Sequence, residues 1–486
     1  MATINTNDLR IKNANNFISS LIPVSERGQG SVFVGRVEPW ADDTAPPVPQ
    51  NNFQTFYNMY DNLFALKRIE SNTVYNMIRR VNWTSGVVYD YYRQDYSTTN
   101  RSFTNAANLY DCVWVVRNTQ NVVYACLNNN YNTPSTVEPL NTTNEPFFTT
   151  DGYQWQRVYT LTNEVFNSYT TSDFMPIEQN EVVTSTDGAI ATVIIENKGS
   201  AYTSSPIGAP NQIPYYFCHI TGDGEGAVAR VTVTNGSITN IEVVRPGAGY
   251  TFGTLNFTAG NVYESLPDLD QEKNSLNPSG DGSFISKVII PPPGGWGTDI
   301  VRELGGTRVG VFASLDFDLF NFFTGSFRQV GILQDATLDK PLATTVNACY
   351  AVQVTGVAEG SSYISGETIS QFVLTEEGET RVASGIVISY DTSTSVIRYS
   401  QNSTDADPEN GTLYRFAGDN DIVGETSKIA AKSSDYTGET TDIDFVDGYA
   451  TPDLTMYSGL MTYLANISPV VRDAQQSERI SLVIAF

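Results

Sequence analysis

The stretch GAVARVTVTNGSITNIEVVRPGAGYT, Gly226 to Thr251, decides the fold class. Ala227, Ala229, Val231 and Val233 alternate with Arg230, Thr232 and Thr234, the period-two pattern of a strand with one buried face. Asn235-Gly236 then supplies a type I′ turn, whose central residues need positive φ, and Ile238 to Val244 returns as the partner strand. An earlier segment, GAIATVIIENKGSAYT from Gly188 to Thr203, echoes the pattern. Both copies close on a Gly followed by Tyr and Thr, which suggests a tight turn pinned by an aromatic ring. Two copies are too few for a solenoid but enough for a small β-domain.

A second Gly- and Thr-rich β stretch runs from about Cys349 to Gly448 and contains Val352 to Gly356, Gly360 to Tyr363 and the alternating Ala383 to Tyr390. Between Gln401 and Ala450 stand 11 acids against three bases. The run Asp405 to Gly411 superficially resembles a calcium loop, yet Asn410 stands where the EF-hand needs Gly and Phe416 where it needs a carboxylate, so no metal is expected. Upstream, Ser31 to Val37 reads as a strand broken at Pro39, and Pro46-Pro47-Val48-Pro49 as an extended loop. Asn51 and Asn52 can then cap a helix in which Phe53, Phe56, Tyr57, Tyr60, Leu63 and Phe64 recur as one buried face. Strand-like runs follow at Thr73 to Ile78, Asp111 to Val116 and Val122 to Leu127, the last two forming a hairpin.

The expected class is therefore mainly β with some α, built of β-sandwich-like layers with inserted Gly-rich β-domains. Five segments are expected: 1–180 and 284–348 as framework, 181–283 as the insert with two related repeats, 349–448 as a second, acidic insert, and 449–486 as C-terminal framework strands.

The 486-residue chain carries 28 basic and 53 acidic side chains, a net charge of −25, which disfavours nucleic acid as a partner. Its one histidine, His219, would have to serve any triad or zinc site. In the strand Tyr216 to Ile220 it faces away from its neighbour Cys218, so the pair is poorly placed to hold one ion. The four cysteines, Cys112, Cys126, Cys218 and Cys349, fit no metal or redox spacing and read as free thiols. No phosphate loop or nucleophile elbow is present. Met1 to Ser20 has no apolar signal core, and no run of about 18 apolar residues offers a membrane span. Paired carboxylates could hydrolyse a glycoside without histidine, but no pair stands out. Tyr89-Asp90-Tyr91-Tyr92 and Tyr215-Tyr216-Phe217 fit sugar stacking, a protein interface or packing between β-layers. The balance points to assembly, with no enzyme activity and no cofactor.

Ordered blocks along the chain are similar to a known family. VFVGRVEPW (Val32 to Trp40), the Pro-rich loop and the aromatic helix resemble the opening of the dimeric baseplate wedge subunit of T-even-type contractile-tailed bacteriophages. The similarity continues through IRRVNW (Ile78 to Trp83), DGYQWQRVYTL (Asp151 to Leu161), GGWGTDIVRELGG (Gly294 to Gly306) and FRQVGILQDA (Phe327 to Ala336). It ends with YSGLMTYLANISPVVRDAQQSERISLVIAF, Tyr457 to Phe486. Leu460 stands where the family has an acid, Ala465-Asn466-Ile467 replaces an ENR-like triplet, and Gln475-Gln476-Ser477-Glu478 replaces a DQTE-like step.

The resemblance implies a homodimer among other wedge subunits in the virion's tail baseplate, assembled in the host cytoplasm and rearranging when the sheath contracts. The alternative is a carbohydrate-binding adhesin or receptor-binding tail protein. Within the shared blocks, Arg36, Glu38, Trp40, Arg79, Arg80, Trp83, Tyr153, Trp155 and Arg328 are the candidate interface or framework residues. The arginines are forks suited to carboxylates, and 20 of the 28 bases are Arg.

Overall fold

The computed structural model describes residues 4–22, 29–179, 186–203, 215–257, 260–267, 275–276, 280–315, 325–340, 343–440, 443–472 and 476–486. The expected boundary at 180/181 and the departure at Gln475 lie outside them. Strands far outnumber helices, so the chain is mainly β with some α, as the alternation predicts. The chain divides between two units, one made of Met1–Ala14, Tyr75–Gly310 and Ile484–Phe486, the other of Asn15–Val74 and Val311–Val483.

In the first unit, the expected hairpin forms between Val115–Arg117 and Val122–Asn128, and Gln154–Thr160 pairs with the latter strand on its other edge. Val122, Tyr124 and Cys126 enter one core with Tyr89, Tyr153 and Trp155, while Val123, Ala125 and Leu127 enter another with Trp114, Trp296 and Leu304. Both faces of the strand are therefore dry, which is why it reads as an unbroken apolar run. The GGWGTDIVRELGG block folds around buried Glu303, whose carboxylate accepts the backbone N–H groups of Gly297 and Asp299 at 2.8 Å each. Burial pushes its pKa above the ordinary value.

The Gly226–Thr251 stretch forms the hairpin its alternation predicts: Val228–Thr234 pairs with Ser237–Arg245, and the turn has φ 53° at Asn235 and 78° at Gly236. The echoed copies also meet. Ile190 N–H donates to the Pro246 carbonyl at 2.8 Å, and Ile238 N–H to that of Lys198 at 3.0 Å. Buried Tyr250 is the pin: its hydroxyl accepts from Ala227 N–H at 3.3 Å and donates to the Ile220 carbonyl at 3.0 Å. A Cβ at Gly224 would stand 2.5 Å from that ring, so the close approach requires glycine.

The second unit holds an antiparallel five-stranded sheet in the order Thr345–Asn347, Leu63–Arg68, Gly30–Gly35, Gly325–Gln334, Leu460–Arg472. Phe33, Leu66 and Leu333 pack with Met59 and Tyr60 of the helix Phe53–Asn62. Asn52 caps that helix by accepting Thr55 N–H at 2.9 Å. The predicted buried face is shorter than its periodicity. Leu63 and Phe64 have already entered the sheet, Phe53 is 81% exposed, and Tyr57 is exposed beside it. A further helix, Asn7–Leu21, goes unread in the sequence because its composition is polar and only Ile11, Ala14 and Leu21 are buried apolar residues.

The 349–448 stretch, expected as a second β insert, closes into a six-stranded barrel. Tyr350–Thr355 pairs with Val396–Ser400 on one side and with Ala430–Ser433 on the other, while Thr380–Asp391, Thr368–Leu374 and Asp421–Gly424 complete the ring. Gly360 to Tyr363 is a turn outside the strands, and Tyr363 is buried with its hydroxyl donating to the Ile422 carbonyl at 2.8 Å. Val352, Ile369, Val387, Ile397 and Phe416 fill the interior.

Candidate functional site

Four of the nine candidate residues converge in the second unit. The strand Gly30–Gly35 ends at Arg36, which has φ 58° and sets its guanidinium 4.1 Å from the centre of the Trp40 ring, with Glu38 4.0 Å from the same guanidinium. Trp40 Nε1 donates to the Ile467 carbonyl at 3.0 Å. Arg328, buried, grips Asp43 in a two-point fork, Nε to Oδ1 at 2.9 Å and Nη2 to Oδ2 at 2.8 Å, and Nη1 donates to the Val37 carbonyl at 2.6 Å. The Arg328 hydrogen bond holds the Asp43 carboxyl down at about 2. Asn466 Nδ2 adds a bond to the Pro47 carbonyl at 2.7 Å. The 37–49 loop, which leads into the helix Phe53–Asn62, is thus fastened to the strands Gly325–Gln334 and Leu460–Arg472.

What the anchored loop presents is apolar. Val48, Phe53, Tyr57, Tyr457 and Leu460 are all exposed. The Tyr457 ring lies 5.4 Å from both Tyr57 and Tyr60, and its hydroxyl donates to Asp61 Oδ1 at 2.8 Å. Burial, and after it the bond to Asp61, pushes the Tyr457 hydroxyl up to about 12. The surface joins the N-terminal aromatic helix to the C-terminal block. Asp43 and the exposure of Phe53 were missed from sequence: Asp43 lies 285 residues from Arg328, and periodicity marks an apolar face without saying what covers it.

The other five candidates lie in the first unit and work within it. Arg79 donates to the carbonyls of Asp111 and Cys112 at 3.3 and 3.2 Å, and Arg80 to that of Thr171 at 2.9 Å. Trp83 Nε1 donates to Ser135 Oγ at 3.1 Å. Tyr153 and Trp155 are fully buried and stacked, their ring centres 5.4 Å apart, and the Tyr153 hydroxyl donates to the Thr133 carbonyl at 2.6 Å. Their geometry is that of framework residues.

The remaining chemical candidates are accounted for locally. His219 meets the Tyr263 ring edge-on at 5.2 Å, with its pKa lowered by burial. All four cysteines are free and buried. Asp405 and Asp407 spend their carboxylates on backbone N–H groups, Asn402 at 2.8 Å and Val382 and Glu409 at 2.9 Å. Among the described residues no cluster of His, Cys, Asp and Glu is placed to hold a metal, and no helix is long and apolar enough to cross a membrane. The sequence matches no protein-family model and no curated protein.

Proposed function

We propose that this chain is a non-catalytic structural subunit of a contractile-tail baseplate wedge, working in the virion as a homodimer among other wedge subunits. The observation that carries the reading is the exposure of Val48, Phe53, Tyr57, Tyr457 and Leu460, with Tyr57 and Tyr457 in ring contact, beside a loop fastened by the Arg328–Asp43 and Trp40–Ile467 contacts. Apolar, aromatic-rich patches of this kind mark protein interfaces. With a net charge of −25, two copies meet most readily where side chains are uncharged, and one patch facing its own copy is the symmetric solution. The blocks that build the surface are also those resembling the wedge family.

In this reading free energy is exchanged between alternative interfaces when the baseplate changes state. A reconstruction of the particle tests it: density for this chain in pairs around the tail tube supports it, and a solely peripheral fibre position sinks it. Light scattering giving the mass of one chain at micromolar concentration removes the homodimer.

A further inference from the structure

A cleft of about 380 Å³ opens in the first unit beside the loop Asn129–Asn132, and none of the nine candidate residues lines it. Its floor is apolar, from Val193, Ile195 and Ile241, all buried. Its rim is built differently. Tyr131, 53% exposed, and Phe148, also exposed, offer ring surface, with Lys198 Nζ 5.1 Å from the centre of the Tyr131 ring on one of its faces, and the amides of Asn128 and Asn240 and the carboxylate of Glu196 line the same cleft.

The loop that lifts Tyr131 is held in an unusual conformation. Asn130, Tyr131 and Asn132 have φ of 48°, 58° and 61°, three consecutive left-handed residues without a glycine among them. Such a run costs free energy and persists only because its surroundings enforce it. Asn130 N–H donates to Asn128 Oδ1 at 2.9 Å, Asn132 N–H to Asn129 Oδ1 at 3.1 Å, and Asn130 Nδ2 to the Asp151 carbonyl at 3.0 Å. Asn129 Nδ2 ties the loop to the Tyr89 carbonyl at 2.8 Å. The tyrosine at its crest is thereby fixed before any ligand arrives, while Glu196 and Asn240 make no side-chain hydrogen bond or ion pair among the described residues.

We infer that this cleft binds a neutral saccharide of one or two hexose units. A sugar has an apolar C–H face suited to an aromatic ring and hydroxyl groups suited to amides, which both donate and accept, and to a carboxylate, which accepts. A phosphate ligand is disfavoured because no arginine lines the cleft, a carboxylate does, and the nearby Lys198 ammonium is placed over the Tyr131 ring. The volume lies within the range of small-molecule sites. The site is additional to the assembly surface and independent of it.

The test is saturation-transfer NMR on the full chain with maltose, lactose, cellobiose and N,N′-diacetylchitobiose, followed by titration of any sugar that responds. Tyr131→Ala and Phe148→Ala are each expected to weaken binding about tenfold or more, and Glu196→Gln to weaken it less. Because Tyr131 and Phe148 are exposed, thermal unfolding should stay unchanged, which separates loss of binding from loss of fold. No transfer to any of the four sugars at 10-millimolar order, or binding indifferent to both aromatic substitutions, overturns the assignment.

Discussion

Phe53→Ala probes the proposed assembly surface most directly. The side chain stands at the first position of the helix Phe53–Asn62, 81% exposed, and helps fill no core. A phenylalanine carries about 150–250 Å² of surface, so about 160 Å² of this residue is free to be covered. Covering half of it at about 25 cal/mol per Å² stabilises an interface by about 2 kcal/mol. In a two-fold contact the residue occurs twice, which raises the ceiling to about 4 kcal/mol. Alanine is therefore expected to weaken self-association by about 30-fold at least, since every 1.4 kcal/mol is about a factor of ten. Sedimentation velocity across a concentration series reads this directly. The melting temperature should hold, because Asn52 still caps the helix and alanine is its best former. Tyr60→Ala is the contrast: buried against the sheet, it should lower the melting temperature. A dimer constant changed by less than about threefold in Phe53→Ala, with an unaltered melt, would refute the assignment of this surface.

Three further outcomes are expected. Tyr250→Phe leaves the Ala227 N–H and the Ile220 carbonyl without their bridge, at a cost of about 1–3 kcal/mol; faster hydrogen exchange at Ala227 is the readout, and unchanged protection would contradict the pin. Trp155→Ala opens a cavity in a fully buried stack and should cost about 3–5 kcal/mol, seen by calorimetry as an earlier unfolding transition. Because the Asp43 carboxyl titrates at about 2, below its ordinary 3.8, its contact with Arg328 stabilises the loop above about pH 4 and is lost as the pH falls through about 2. Trp40 emission should follow that loss, with Trp40→Phe as the blank, and a profile unchanged in Asp43→Asn would dismiss the linkage.

Local features of the fold were legible in the sequence. The hairpin Val228–Arg245 was readable at its turn, where Asn235-Gly236 sets Thr234 opposite Ser237, whereas the register shifts at Thr232/Val233 and Val228/Ala229 left no mark on the alternation. The helix cap at Asn52 and the doubly buried strand Val122–Asn128 were readable for the same reason, their signals lying within a few residues. Closure of the barrel was not, since it depends on Tyr350 finding Tyr399 across an intervening hairpin, and alternation names a face without naming a partner. Arg36, Glu38, Trp40 and Arg328 were each chosen for chemistry suited to fixed geometry, and they do gather in one place. Arg79, Arg80, Trp83, Tyr153 and Trp155 were chosen on equal grounds and turn inward, because an arginine fork or an indole serves a carbonyl of its own chain as well as one from another. The cleft beside Tyr131 left no mark on the sequence beyond a run of asparagines, whose left-handed backbone is visible only in three dimensions.

The pairing of Gly325–Gln334 with Leu460–Arg472 carries a consequence for biosynthesis. At about 5–20 residues per second, the ribosome needs on the order of 10 s to make the second strand after the first. During that interval the earlier strand waits with one edge unsatisfied, a state open to mispairing with neighbouring nascent chains. The anchor for Trp40, the Ile467 carbonyl, arrives in the same late segment, so this part of the loop's fastening follows the Arg328–Asp43 fork, whose partners are made earlier. Chains cut short by premature termination thus lack the Ile467 and Asn466 contacts to the loop behind the aromatic surface, and with them Tyr457 and Leu460 themselves.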